Sequence, residues 1–288
     1  MTRAAFEPVN PNTNYSFAVR KFEQKEFTSP YHFHPEFELT LIVKGEGNRY
    51  VGNGMAVYGA GDLVLLGGNL PHCWKTGPGG PEALNASSVV VQFNKDFLGN
   101  GFFSTPELAA ILQLLERSAH GIQFLGETVG DVKAQMLKLS EEEPFKRLIS
   151  LLEILHTLAT AKRFVLLHQK GMTIEKSAVR QQRINLVIGY IVDNFKDVVF
   201  LNKASAIANM SPNAFCKYYK KITGQTFMET VTGYRIDYAI QQLIYSDKSI
   251  SDISFESGFS DVSHFYKLFK RKTRLSPLGY RKKFAGQI

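Results

Sequence analysis

The chain has little sulfur and almost no tryptophan: two cysteines, Cys73 and Cys216, and one tryptophan, Trp74, in 288 residues. The two cysteines lie far apart and lack the paired spacing of a metal knuckle, so reduced thiols without a disulfide are expected. No apolar run of signal-peptide length opens the sequence, and none approaches the ~20 residues of a membrane helix. A soluble, cytoplasmic protein is the expectation. The first 180 residues also lack net charge, with 18 Lys+Arg against 18 Asp+Glu.

The cationic excess lies elsewhere. Residues 181–288 hold 16 Lys+Arg and 8 Asp+Glu, which accounts for the whole formal charge of +8. A half that carries all the excess suits a polyanionic partner, whereas a balanced half suits sensing or catalysis. The length allows two domains with cores of their own.

What the basic half does contain is one pattern written twice. Leu201 to Ser211 overlays Ile250 to Ser260 at an offset of 49, each copy ending in a tight turn at Asn209 or Gly258. Asn202 and Ser251 are expected as helix N-caps, and Asn209 and Gly258 as left-handed turn residues. One residue is then gained, and the next helices align at an offset of 50: Phe215 with Phe265, Lys217 with Lys267, Tyr219 with Phe269, Lys220 with Lys270. Aromatics at i and i+4 make an inward stripe. The outward faces carry Asn213, Lys217, Lys220 and Lys221, then Ser263, Lys267, Lys270 and Arg271. An apolar seam opposite hydrogen-bonding and cationic groups is what a helix in a DNA major groove requires. A single copy reads equally as an ordinary amphipathic helix; two copies in register do not.

The segment resembles the DNA-binding domain of the AraC/XylS family of bacterial transcription regulators. Arg235, Ala239, Leu243, Ile250, Gly258-Phe259, Phe265, Phe269-Lys270, Ser276-Pro277 and Tyr280-Arg281 carry the resemblance. Arg274 stands where glycine is usual and Ser254 where alanine is usual. The resemblance implies two helix-turn-helix units in residues 181–288, reading double-stranded DNA. Asn213, Lys217, Ser263, His264 and Lys267 are the expected base contacts, with a capping or core role also open for His264. Lys220, Lys221, Lys270 and Arg271 are the expected phosphate contacts. The connecting helix, about Phe227 to Tyr245, would be ~28 Å long. That holds two recognition helices about one DNA turn, ~34 Å, apart.

In the neutral half, Phe37, Leu39, Leu41 and Val43 alternate with other residues, and glycine-rich breaks recur at 45–47, 53–54, 59–62 and 67–69. Short strands so punctuated suggest an antiparallel barrel or sandwich. Within them stand His32, His34 and Glu38 followed by Gly45, then Gly61-Asp62 and His72. Histidine, any residue, histidine, three residues, glutamate, six residues, glycine is similar to the first cupin motif, although Gly68 replaces a usual proline before His72. Three imidazoles and a carboxylate suit a divalent zinc, nickel, manganese or iron. Equally, they could line a pocket that holds a sugar or an acid by hydrogen bonds. Tyr31, Tyr50 and Trp74 are candidate effector contacts.

The expectation is therefore an α+β two-domain protein. A cupin-like antiparallel β-barrel spans 1–105, linker helices span 106–168, and an all-α double helix-turn-helix domain spans 181–288. Its function is effector-controlled, sequence-specific regulation of transcription, with a carbohydrate effector by family analogy and no enzymatic activity. The partners expected are DNA, the small molecule, RNA polymerase and a second copy of the chain. For that copy, the stripe Leu148, Leu151, Leu152, Leu155 and Leu158 is the candidate interface. A metal-dependent cupin enzyme tethered to DNA is the alternative, and a mere dimerisation scaffold a third.

Overall fold

Alternation along a strand sends successive side chains to opposite faces, and the N-terminal unit uses both. The computed structural model describes residues 16–52, 54–76, 86–167 and 178–284. It begins with strands β1 (Phe17–Gln24), β2 (Phe37–Lys44), β3 (Gly47–Val51), β4 (Gly54–Tyr58), β5 (Leu63–Leu66), β6 (His72–Thr76) and β7 (Ala86–Phe93). Helix α1 (Ala109–Arg117), β8 (Ile122–Phe124), α2 (Glu127–Leu139), α3 (Pro144–Ala159) and β9 (Phe164–Leu166) follow.

The strands form a six-stranded sheet, β1-β7-β2-β5-β8-β9, and a three-stranded sheet, β4-β3-β6. All described pairings are antiparallel. The antiparallel β-rich unit expected from the sequence is present, though among the described residues the barrel is not closed: two sheets are joined through an isolated bridge between His32 and His72. The corner is local: the β2–β7 register shifts after Ile42, and Gly45 takes a φ of 101° that a side chain disfavours. The chain thereby leaves one sheet and starts the other.

One face of the larger sheet is apolar. Leu39, Leu41, Leu63, Leu65, Val89, Val91 and Phe93 share a core with Ile111, Leu114, Val132, Met136, Leu151, Ile154, Leu155 and Leu158 of the three helices. Each such side chain contributes about 1.5–3 kcal/mol by leaving water. This revises the reading of the α3 stripe, because Leu151 and Leu155 are fully buried against the N-terminal unit's own sheet and helices. Leu155→Glu would place a charge in a core and unfold the unit. Residues 2–169 form one compact unit, so the helices of 106–168 are its second layer.

Residues 170–288 form the other unit. Residues 168–177 lie outside the described residues. Helices α4 (Ala178–Asn194), α5 (Leu201–Ile207), α6 (Pro212–Thr223), α7 (Phe227–Tyr245), α8 (Ile250–Glu256), α9 (Val262–Thr273) and α10 (Pro277–Phe284) make up its regular structure. Asn209 and Gly258 are both left-handed, at φ 52° and 88°. The expected caps are corrected: α5 starts after Phe200 with no side-chain cap, and the Ser249 hydroxyl accepts from Asp252 N at 3.1 Å, so Asn202 and Ser251 fall inside their helices. Helix α7 begins with a full capping box of Thr226 and Glu229.

Arg235 of α7 ties the two halves of this unit together. Its guanidinium donates to the carbonyls of Phe195 (2.7 Å) and Asp197 (2.8 Å) and lies over the Phe259 ring. A Cβ on Gly258 would meet the Phe195 and Lys196 carbonyls at 2.6 and 2.8 Å, so only glycine fits this contact.

The two departures from the family pattern are both unfavourable positions. Arg274 closes α9 at φ 66°, in the left-handed region that disfavours a side chain by roughly 1–2 kcal/mol. Ser254 is fully buried, and its hydroxyl has no hydrogen-bond partner. Arg274→Gly and Ser254→Ala are therefore each expected to stabilise the chain by about 1 kcal/mol in denaturant unfolding. A loss of stability in either variant would contradict this reading.

Candidate effector and metal site and the nucleic-acid interface

The second face of the larger sheet is polar. Register places Arg20 beside Val90 and Val90 beside Thr40, while Ala18, Gln92 and Glu38 form the next row. Arg20, Val90, Thr40, Gln92 and Glu38 of these rows and Trp74 of β6 line a cavity of about 100 Å³ whose wall also includes His32, Ser88 and Phe22. That size suits a ligand of few heavy atoms, since a dry 150 Å³ cavity holds a benzene ring.

At one end of it, His32, His34, Glu38 and His72 are all buried, and one ligand atom from each lies within 4.8 Å of the others. The His32–His72 bridge brings two of the rings together, with centroids 4.4 Å apart, and the His34 ring lies 5.2 Å from that of His72. Proline at position 35 bends the chain between His34 and β2, yet the three residues before and within β2 still converge.

Hydrogen bonds fix the rings. His32 Nδ1 donates to the Pro30 carbonyl at 2.9 Å, and His72 Nδ1 donates to the Leu70 carbonyl at 2.7 Å. A carbonyl only accepts, so the proton sits on Nδ1 and each Nε2 keeps its lone pair for the cluster. His34 places Nε2 3.0 Å from Glu38 Oε2 and Nδ1 3.4 Å from Glu36 Oε2. Glu38 is steadied from below: Thr40 Oγ1 donates to Oε1 at 2.7 Å and Gln92 Nε2 to Oε2 at 2.8 Å. Imidazoles held through the far nitrogen by a carbonyl or carboxylate are the usual support of metal ligands.

The cluster passes a test of fit to a cation. His72 Nε2 has no hydrogen-bond partner and lies 3.4 Å from Glu38 Oε1. With Nε2 as a bare lone pair the contact repels, so it calls for positive charge, either a proton on that nitrogen or a cation between the two groups. Burial, reinforced by the neighbouring His72, pushes the His32 imidazole down to about 4, so it is a neutral donor at physiological pH. Burial alone would raise the Glu38 carboxyl, but the adjacent His72 and the His34 hydrogen bond outweigh it and hold it well below the usual range.

Of the expected effector contacts, Trp74 lines the cavity and the two tyrosines do not. Tyr50 pairs with Cys73 and Arg49 with Trp74 across β3 and β6, so Tyr50 and Trp74 project to opposite faces. The buried Tyr31 hydroxyl donates to the Gly52 carbonyl at 2.5 Å. Arg20, Ser88 and Gln92 went unnoticed in the sequence. Their signal was the alternation of Arg20, Phe22 and Gln24 in β1 and of Ser88, Val90 and Gln92 in β7. Asp62, read with the cupin motif, has a structural role. It forms a buried ion pair with Arg49 and accepts from Gln123 (2.8 Å) of β8 and Trp74 Nε1 (3.4 Å), joining the smaller sheet to the larger.

In the C-terminal unit, Phe215, Tyr219, Phe265 and Phe269 are fully buried. Asn213, Lys217, Lys220 and Lys221 of α6 are exposed, as are Ser263, His264, Lys267, Lys270 and Arg271 of α9. His264 is no core residue: its backbone N–H donates to the Asp261 cap and its side chain is at the surface. Cys216 and Tyr266, aligned by the repeat, share that exposure and were not singled out. Lys272 is engaged, donating to Asp237.

Comparison with known proteins gives the same division. Residues 14–122 match the AraC-like ligand binding domain, and residues 204–283 match a helix-turn-helix domain. The HTH-type transcriptional activator RhaS of Escherichia coli O1:K1 is 24% identical, covering 94% of this chain and 94% of its own. RhaS of Klebsiella pneumoniae (strain 342) is 23% identical over 88% of this chain and 87% of its own. Among solved structures, ToxT from Vibrio cholerae O395 overlays with a TM-score of 0.36 at 13% identity, covering 94% of this chain and 99% of that one. No helix among the described residues is long and apolar enough to cross a membrane.

The histidine burial sets an acid response. An unfolded chain takes a proton on His32 near pH 6.5, whereas the folded one resists until about 4. The unfolded state thus binds more protons in that window, and stability falls as pH drops through it. Glu38, depressed in the fold, adds a loss in the same direction at lower pH. The melting temperature of chelator-treated protein is expected to fall between pH ~6.5 and ~4, and His32→Gln to flatten that slope. A pH-independent melting temperature in the unsubstituted protein would contradict the assignment.

Proposed function

Because the chain belongs to the AraC/XylS family of transcription regulators, we propose that it couples a divalent ion and a small-molecule effector, both held by the N-terminal unit, to DNA recognition by α6 and α9. It is a sequence-specific DNA-binding regulator under small-molecule control. The observation that carries the finer reading is the convergence of His32, His34, Glu38 and His72 at the end of the cavity.

On this reading His32, His34 and His72 offer imidazole nitrogen and Glu38 a carboxylate oxygen to the ion. Zinc, nickel, manganese and iron all accept such a set. When bound, the ion would supply a Lewis-acidic centre for an oxygen of the effector. The chain's own groups do the rest: backbone carbonyls orient His32 and His72, Thr40 and Gln92 hold Glu38, and Trp74 walls the cavity. Effector binding biases the regulator between two arrangements of its units. The cavity argues against a domain that serves only as a dimerisation scaffold, which would be filled with side chains. RhaS, similar over nearly the whole chain, is a transcriptional activator, which favours a non-enzymatic regulator over a DNA-tethered cupin enzyme. A cytoplasmic homodimer that meets RNA polymerase at its promoters completes the reading. Since Leu151 and Leu155 are buried, pairing through α3 would use its outer side, where Phe145 and Ile149 are exposed.

In DNA recognition, Asn213, Lys217, Ser263, His264 and Lys267 read bases, and Lys220, Lys221, Lys270 and Arg271 grip phosphate. Lys217→Ala and Lys267→Ala are each expected to weaken specific binding by about 1–3 kcal/mol while non-specific binding changes little. Lys270→Ala should weaken both and lower the salt slope by about one. The check is affinity for a site selected from random duplexes against unrelated DNA, at several salt concentrations. Equal loss on both DNAs for Lys217→Ala would remove it from base contact.

For the sensor, elemental analysis should find a divalent ion, and a chelator should lower the melting temperature. His34→Ala should abolish the chelator effect. Metal-free protein with no chelator response would leave a hydrogen-bonding sugar pocket as the reading.

A further inference from the structure

We infer that the effector is a small hydroxy-carboxylic acid lying between the His32–His34–Glu38–His72 cluster and Arg20. The inference rests on the divalent-ion reading of that cluster and names the ligand class of the same cavity. Four observations lead to it.

The first is charge. Arg20 and Glu38 are the basic and acidic side chains of the cavity wall, and Glu36 stands behind His34. Two carboxylates against one guanidinium make a region that repels anions. A divalent ion at the cluster reverses the sign, and a neutral sugar would gain nothing from that reversal. The second is span. Arg20 sits on β1, two strands from β2, and one row along from Glu38. At ~4.8 Å between strands and ~3.4 Å per residue, their backbones lie roughly 12 Å apart across the cavity floor. A short molecule with oxygen at both ends bridges the ion and the guanidinium, and a carboxylate matches the guanidinium's paired donors.

The third is an acceptor awaiting a donor. Gln92 is 5% exposed and lines the cavity; its Nε2 is committed to Glu38, and its Oε1 has no hydrogen-bond partner. A carboxylate cannot satisfy that oxygen, but a ligand hydroxyl can. This selects a hydroxy acid over a simple acid. The fourth is size and surface. The cavity is about 100 Å³, and the Trp74 side chain, 7% exposed, offers an apolar wall to the C–H face of a short polyol chain.

The test uses full-length protein loaded with Co²⁺, whose visible spectrum reports directly on its ligands. Glycolate, lactate and malate are titrated against neutral partners: ethylene glycol, 1,2-propanediol and glycerol. At least one acid is expected to change the cobalt spectrum and to bind about tenfold or more tightly than its neutral partner. Arg20→Gln should weaken that acid about tenfold while cobalt stoichiometry stays at the unsubstituted value, and Arg20→Lys should restore part of the affinity. Cobalt-loaded protein that treats acids and neutral partners alike overturns the proposal and leaves the ion site standing. So does acid binding unaffected by Arg20→Gln, or equally tight without cobalt. Failure of the protein to take up cobalt overturns the ion reading and this proposal together.

Discussion

A carboxylate buried to 4% exposure must be matched by donors and positive charge, and Glu38 is where the N-terminal unit meets that demand. Thr40 and Gln92 serve it from the sheet, and His34 serves it from the bend before β2. His72 faces it from the smaller sheet, across the bridge that joins the two sheets. The cavity, the bridge between the sheets and the histidine rings all meet at this one side chain. The same requirement explains why the polar residues of β7 and β2 alternate with valines and leucines. The inner face needs hydrogen-bonding groups around Glu38, while the outer face needs to pack under α1, α2 and α3.

A comparable economy governs the C-terminal unit, where the constraint is steric. Gly258 lies against the end of α4 so closely that no side chain fits, and Arg235 bonds the same two carbonyl-bearing segments. The two helix-turn-helix units are thereby fixed through one contact between α7, α4 and the second turn. A rigid pair presents α6 and α9 with a fixed spacing, which reading successive grooves requires. The unfavourable Arg274 and Ser254 positions are tolerated because neither lies in that contact or on the exposed basic faces.

Much of this was legible in the sequence, for physical reasons that differ by region. The repeat at offsets of 49 and 50 located α5, α6, α8 and α9, because a duplicated pattern suppresses chance matches. The connecting helix at about Phe227 to Tyr245 was legible through the family resemblance, and its capping box at Thr226 only in the structure. The histidine spacing placed His32, His34, Glu38 and His72 in one neighbourhood. Other features depend on distant partners and could not be seen locally. The leucines of α3 have the same period whether they face a second chain or their own sheet, and only the fold shows Leu155 inside. Tyr31 and Tyr50 sit near the histidines in sequence, but strand pairing turns Tyr50 away and a backbone carbonyl claims the Tyr31 hydroxyl. Arg20 escaped notice because its importance comes from β1 pairing with β7, about seventy residues later. Ser251 was expected as the cap of α8, but Ser249 takes that role because it lies three residues before the Asp252 N–H it accepts from.

The central claim is that three imidazoles and Glu38 share one ion at the end of the cavity. X-ray absorption at the zinc edge of zinc-reconstituted full-length protein tests it most directly. The account predicts nitrogen and oxygen neighbours at about 2.0–2.2 Å, with the outer-shell scattering of imidazole rings, and loss of that pattern in His34→Ala. A spectrum of oxygen neighbours alone, unchanged by that substitution, would contradict it.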